Sequence, residues 1–180
     1  MRKLILSMFM SLDGYIEGPD GFVQPAWSDE VAREWSGWAG ENGGHLLYGR
    51  VNFEFNRGFW TSDEARDLPE REFMNSLSKS VASRTLTGDL GWNGRAVADV
   101  AAEVARLKAE DGKAILSFGG AALAHSLIAQ DLADEYRVMV GPVLLGGGKR
   151  LFPEGVHRDL RLVESRRLDV GSLILRYERA

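Results

Sequence analysis

The residues Ile115-Leu116-Ser117-Phe118-Gly119-Gly120-Ala121-Ala122-Leu123 carry the clearest chemical signal in this chain. A short apolar run meets two glycines and passes directly into an Ala/Leu-rich pattern, which reads as a buried strand turning sharply into a helix. Glycine places no Cβ over the first turn, so a foreign backbone or a phosphate can come close. The unpaired amides at a helix start carry partial positive charge and favour an anion. The same glycine pair also serves tight strand–helix packing, and this segment alone does not separate the two uses.

Other residues offer chemistry only in context. Asp13, in Ser11-Leu12-Asp13-Gly14, is either a turn residue bonding the backbone ahead of Gly14 or a polar group in a cleft. Trp27, Trp35, Trp38 and Trp60 load the first third of the chain with indoles, for a core, a dimer contact or a flat stacking pocket. Glu30 and Glu34 lie one turn apart on an expected helix, as solvated carboxylates or as groups reaching a pocket. Arg84 is a surface arginine or a phosphate ligand, and Lys149 and Arg150 neutralise phosphate or decorate a loop. The dinucleotide fingerprint G-x-G-x-x-G is absent, because Gly146-Gly147-Gly148 opens no expected helix. Gly148-Lys149-Arg150 fails as a P-loop, having Val143 at the upstream glycine position and Arg150 at the Ser/Thr position. His45, His125 and His157 are scattered singly, so no metal site is expected.

The elements that must position these groups follow from periodicity. Lys3 to Met10 reads as a buried strand, and Gly18 to Gly21 as an irregular loop. Ser28 caps an expected helix from Asp29 to Trp38 with Val31, Trp35 and Trp38 on one face. His45 to Tyr48 reads as a strand and Val51 to Phe55 as a helix; Lys79 to Ser83 is a third strand and Val97 to Ala109 a helix. Lys113 to Phe118 and Ala121 to Ala129 are the next strand and helix. Asp134 to Val140, Arg161 to Ser165 and Leu173 to Glu178 then read as strands with no helix between them. Alternation followed by a run of strands implies a mostly parallel α/β sheet with an antiparallel edge, within one domain spanning 1–180.

Composition bounds the partners. The chain has 180 residues, 44% apolar and 27% charged, enough for a proper core. A net charge of −4 argues against nucleic acid or an anionic membrane as partner. The absence of cysteine excludes disulfides, thiolate metal sites and cysteine nucleophiles. No apolar run approaches the ~20 residues of a membrane helix, and the expected location is cytoplasmic.

Five segments in order, Ser11-Leu12-Asp13-Gly14, Gly49-Arg50-Val51-Asn52-Phe53-Glu54, Ser83-Arg84-Thr85, Phe118-Gly119-Gly120 and Pro142-Val143-Leu144-Leu145-Gly146-Gly147-Gly148, resemble the dihydrofolate-reductase-like superfamily. The branch is that of the C-terminal reductase domain of bifunctional riboflavin-biosynthesis proteins. The resemblance implies a three-layer fold with helices flanking the sheet, an NADPH site and a homodimer. It implies that Ser11, Asp13 and Gly14 lie beside the nicotinamide ribose, that Gly49, Arg50 and Asn52 hold phosphates, and that Ser83, Arg84 and Thr85 grip the adenosine 2′-phosphate. Gly119, Gly120, Ala121, Ala122 and Leu123 would meet the pyrophosphate, with Gly147 packed on the nicotinamide side. The family commonly has Thr where this chain has Asn52, which can still donate and accept. The zinc deaminase domain of bifunctional members, with its Cys/His signature, is missing from the sequence, so a stand-alone reductase-like domain is expected.

The expected activity is NADPH-dependent hydride transfer to a C=N or C=O group of a small substrate, resembling 5-amino-6-(5-phosphoribosylamino)uracil reductase or dihydrofolate reductase. The substrate is pterin-like, a ribosylated aminopyrimidine or an unrelated carbonyl compound. Asp13, Glu34 or an ordered water supplies the proton. The rival readings are a non-catalytic NADP-binding dimeric regulatory protein and a scaffold binding no nucleotide. Leu173, Ile174, Leu175 and Tyr177 are expected to leave apolar surface or a sheet edge needing cover.

Overall fold

The computed structural model describes the whole chain except Asp20 and Gln24. Its elements in chain order are β1 (Leu4–Ser11), β2 (Tyr15–Gly18), β3 (Gly21–Phe22), α1 (Asp29–Val31), a π-helical stretch Ala32–Gly37, and α2 (Trp38–Asn42). There follow β4 (Gly43–Gly49), α3 (Arg50–Trp60), α4 (Arg71–Ser76), β5 (Lys79–Ala82), β6 (Asp89–Gly91), β7 (Gly94–Val97) and α5 (Val100–Ala109). The last are β8 (Ala114–Ser117), α6 (Ala121–Ala129), β9 (Glu135–Gly141), β10 (Lys149–Arg150), β11 (Leu160–Arg167) and β12 (Leu173–Arg179). Among the described residues they form a nine-stranded sheet ordered β11-β12-β9-β1-β8-β4-β5-β7-β6 and a small sheet ordered β10-β2-β3.

The strands from β9 to β7 run parallel, while β12, β11 and β6 are antiparallel to their neighbours. Alternation along β1 sends Leu4, Leu6 and Met8 to one face, where α5 and α6 cover them with Val104, Leu107, Leu123 and Leu127. Ile5 turns to the other face, with Leu46, Tyr48 and Leu116, under Ala39, Phe53 and Met74. Val31 and Trp35 extend that cover over Met139 and Ile174. The result is the expected α/β architecture: a mostly parallel sheet, antiparallel edges and helices on both faces.

Topology then makes the site. β4 leads into α3 on one face, and its sheet neighbour β8 leads into α6 on the opposite face. Chains leaving adjacent parallel strands toward opposite faces open a crevice at the strands' carboxyl ends.

Several expected elements change. Ser28 caps its helix, its Oγ accepting from Val31 N at 3.2 Å, but the turns after it widen into π geometry. The buried positions become Val31, Trp35 and Ala39, and Trp38 rotates to a half-buried flank. The loop expected over Gly18 to Gly21 is a β2–β3 hairpin, with Asp20 outside the described residues. α3 runs to Trp60, five residues beyond the expected end. Val97 belongs to β7, and α5 starts after Asp99, whose carboxylate caps Ala102 N. The β6–β7 hairpin has no counterpart among the expected elements, because its two turn residues are Trp92 and Asn93 rather than the usual Asn-Gly pair. Trp92 and Asn93 both have positive φ, 52° and 54°, as a type I′ turn requires, and a Cβ at Gly94 would lie 2.5 Å from the Phe53 ring. Finally, β12 is an inner strand with Ile174 buried. The true edge is β11, bulged and carrying Arg161, Glu164, Arg166 and Arg167, so the apolar surface expected from Leu173 to Tyr177 is largely covered within the chain.

Candidate active site

The five separated segments meet at the carboxyl ends of the parallel strands. The Ser11–Gly14 turn follows β1, Gly49–Asn52 joins β4 to α3, Ser83–Thr85 follows β5, Gly119–Leu123 joins β8 to α6, and the loop holding Gly147 follows β9.

At the centre of the crevice the two helix starts nearly touch. Asn52 Nδ2 donates to Phe118 O at 3.4 Å, tying α3 to the end of β8. A Cβ at Gly119 would lie 3.3 Å from Asn52 Nδ2 and 3.5 Å from the Met8 side chain, and one at Gly49 would lie 3.6 Å from Leu123 Cβ. Gly119 and Gly120 have φ of +131° and +88°, a backbone that side chains rarely adopt. Neither helix start has a side-chain cap: Gly49 precedes α3 and Gly120 precedes α6. First-turn amides without a cap, around a cradle with no Cβ, fit the phosphates of a dinucleotide.

The β5 side supplies hydroxyls and cations. Arg50 Nη1 reaches Thr85 Oγ1 at 3.4 Å while its Nε lies 3.6 Å from Glu54. Ser83 Oγ accepts from Thr85 N and Leu86 N, shaping the turn that leaves Arg84 exposed.

On the β1 side, Asp13 bonds backbone amides, with the glycine loop as its partner. Ser11 Oγ donates to its Oδ1 at 2.6 Å, Gly146 N donates to Oδ2 at 2.8 Å, and Leu145 N donates at 3.1 Å. The Ser11 hydroxyl first, and the Gly146 amide second, hold its carboxyl at about 2, well below the ordinary carboxylate value. It latches the glycine loop to the β1 turn as a hydrogen-bond acceptor. Asp13→Asn keeps the shape but replaces an acceptor by a donor. We expect amide exchange at Leu145 and Gly146 to quicken about tenfold, read by NMR; unchanged protection would refute the latch.

Glu34 is engaged by the far edge of the sheet. Its Oε1 lies 2.9 Å from Arg166 Nη2 on β11, and Glu30 accepts from Asp169 N at 2.6 Å, so both carboxylates bind the antiparallel edge rather than the crevice. The four indoles also separate. Trp38 stacks on Arg137 at 4.1 Å, and Trp60 donates to Asn56 Oδ1. Trp27 and Trp35 instead gather around Phe9, with Phe22. Phe9 escaped the sequence reading because its strand read as plain core, and Phe22 because no strand was expected after the Gly18–Gly21 loop. Tyr15 was also passed over: Arg150 lies over its ring at 4.8 Å, beside Gly14.

Among the described residues no cluster could hold a metal ion, and no helix is long and apolar enough to cross a membrane.

The fold is shared with known proteins. The chain is 30% identical to the uncharacterized protein YyaP of Bacillus subtilis (strain 168), across 98% of this chain and 94% of that one. It is similar in structure to a Shewanella sp. PV-4 protein assigned by inference to riboflavin biosynthesis, with a TM-score of 0.78, 24% identity, and coverage of 100% and 99%. Acinetobacter baumannii RibD superposes with a TM-score of 0.68 at 16% identity, this chain spanning 58% of its length. A Thermotoga maritima diaminohydroxyphosphoribosylaminopyrimidine deaminase/5-amino-6-(5-phosphoribosylamino)uracil reductase gives the same score at 16% identity, over 57% of its length. The family model described as the RibD C-terminal domain matches residues 2–174, and the chain belongs to that family.

Proposed function

We propose that this chain is an NADPH-dependent reductase acting on a C=N or C=O group of a small molecule. The reading is carried by one observation: five segments far apart in sequence converge on a crevice whose centre is two uncapped helix starts without Cβ atoms. The RibD C-terminal domain match supports the reaction class.

NADPH, when bound, supplies the hydride. The amides around Gly119 to Ala122 and the start of α3 would hold its pyrophosphate. Ser83, Arg84, Thr85 and Arg50 would hold the 2′-phosphate through hydroxyls and forked guanidinium donors. The Asp13 latch keeps the Ser11–Gly14 turn and the Gly146–Gly148 loop together, and would hold the β1 side in place beside the nicotinamide. The reduction also consumes a proton. With Asp13 ionised and Glu34 paired to Arg166, we assign that proton to water at the mouth of the crevice.

Titration with NADPH and with NADH, followed by quenching of tryptophan emission, tests this directly. We expect saturable binding with a clear NADPH preference. Arg84→Ala should weaken NADPH about tenfold and leave NADH unchanged, since only the former has the 2′-phosphate. Equal losses would overturn the assignment of the loop, and no binding of either nucleotide would overturn the reductase reading.

A further inference from the structure

Asn52 stands at the cofactor cradle, and Asn56 and Trp60 follow it one and two turns further along α3. A spacing of four puts the three side chains on one face of the helix. Their polar atoms form a single file. Trp60 Nε1 donates to Asn56 Oδ1 at 3.1 Å, and Asn56 Nδ2 donates to Asn52 Oδ1 at 3.0 Å and to the Asn52 carbonyl at 2.8 Å. Asn52 Nδ2 then donates to Phe118 O at 3.4 Å. Trp60 is anchored in turn: its carbonyl accepts from Asn75 Nδ2 at 3.0 Å, and Asn75 Oδ1 accepts from the Trp92 indole.

The direction of this file is dictated by groups that cannot change roles. An indole N–H can only donate, and a backbone carbonyl can only accept. The Trp60 indole therefore claims the oxygen of Asn56, and the Asn52 carbonyl claims its nitrogen. That nitrogen claims the Asn52 oxygen, so Asn52 turns its NH2 group to the end of β8. Reversed, either amide would set oxygen against oxygen. Asn52 Nδ2 has two N–H bonds, and the long contact with Phe118 O uses one. Among the described residues the other has no acceptor, and a Cβ added at Gly119 would lie 3.3 Å from that nitrogen.

We infer that Asn56, with its oxygen held by Trp60, is a positioning residue that fixes the Asn52 amide with its donor toward the phosphates of the cofactor. Rotation about the last side-chain bond would otherwise interchange the two ends of that amide. An anion beside Asn52 then meets an N–H, whereas a reversed amide would meet it with an acceptor. The inference rests on the reductase reading and deepens it.

NADPH titration across a double-mutant cycle tests this, with Asn52→Ala as the second background. Asn56→Asp keeps an acceptor for Trp60 but turns a carboxylate on Asn52, drawing its NH2 group away from the cradle. The loss of NADPH affinity from Asn56→Asp should be about tenfold greater with Asn52 present than with Asn52→Ala. The added charge and any strain act in both backgrounds and cancel in that ratio. The uncharged Asn56→Leu frees the amide without reversing it and should weaken NADPH about threefold, again only with Asn52 present. Equal losses in the two backgrounds, or no loss from either substitution, would overturn the inference. The unsubstituted protein is titrated first. Absence of binding there overturns the reductase reading and the inference with it, whereas binding followed by additive losses overturns the inference alone.

Discussion

Replacing Gly148 with Ala should release the small β10-β2-β3 sheet from the site. Gly148 has φ of +126°, and a Cβ there would lie 1.9 Å from the Glu17 carbonyl oxygen and 2.9 Å from Gly18 Cα. Both obstacles are backbone, so no side-chain rotation relieves them. Overpacking and a forced positive φ each cost on the order of 1–3 kcal/mol, together about 3 kcal/mol here. The strain falls on the pairing of Lys149 with Glu17 and of Arg150 with Tyr15, next to the Asp13 latch. Hydrogen exchange at Tyr15 to Gly18 should therefore accelerate roughly a hundredfold, while β1 keeps its protection. Unaltered exchange would show that the loop can move aside freely. Gly146 and Gly147 have no atom within 4 Å of an added Cβ, so Gly147→Ala is the matched control.

Acid should destabilise the fold through one buried network at the end of the sheet opposite the crevice. His45 Nε2 lies 2.9 Å from Ser80 Oγ, and Ser80 Oγ donates to Glu103 Oε1 at 2.5 Å. With that hydroxyl proton given to Glu103, His45 Nε2 must be the donor to Ser80. Glu103 also takes Arg95 at 3.0 Å and Arg106 at 2.9 Å. Burial first, and the Arg2 guanidinium second, push the His45 imidazole down to about 4. The unfolded chain thus protonates near pH 6.5 while the native state does not, and stability is lost as pH falls through that window. The loss between pH 7 and pH 5 is roughly 2 kcal/mol, which urea unfolding at the two values would read. His45→Gln should abolish most of that slope; an unchanged slope would move its origin elsewhere. Burial works against the Glu103 charge, but the Arg106 and Ser80 hydrogen bonds outweigh it and hold the carboxyl at about 2. A second loss therefore sets in as pH falls from about 4.5 toward 2, where the unfolded carboxylate protonates first.

The sequence by itself determined the order of the main strands and helices and the five segments that meet at the crevice. Apolar runs bounded by Gly or Asp reveal β1, β4, β8 and β9, because buried parallel strands need continuous hydrophobic cover. Gly119-Gly120 reveals the crevice for a local reason: a positive φ and an uncapped helix start are properties of adjacent residues. The Ser28 cap and the Ala121–Ala129 helix are legible on the same ground.

Only the tertiary structure decided which way side chains turn. Asp13 and Glu34 have the right chemistry for proton donors, but amides 132 and 133 residues away claim one, and Arg166 on β11 claims the other. The π turns that rotate Trp38 onto Arg137 depend on that guanidinium reaching the Glu34 carbonyl across the sheet. Phe9 and Phe22 join Trp27 because a two-residue strand, β3, folds back along β2. Gly148 reads as one glycine of three until the Glu17 carbonyl is set against it. These outcomes depend on partners distant in sequence, and the competition among such contacts is resolved only when the sheet has closed.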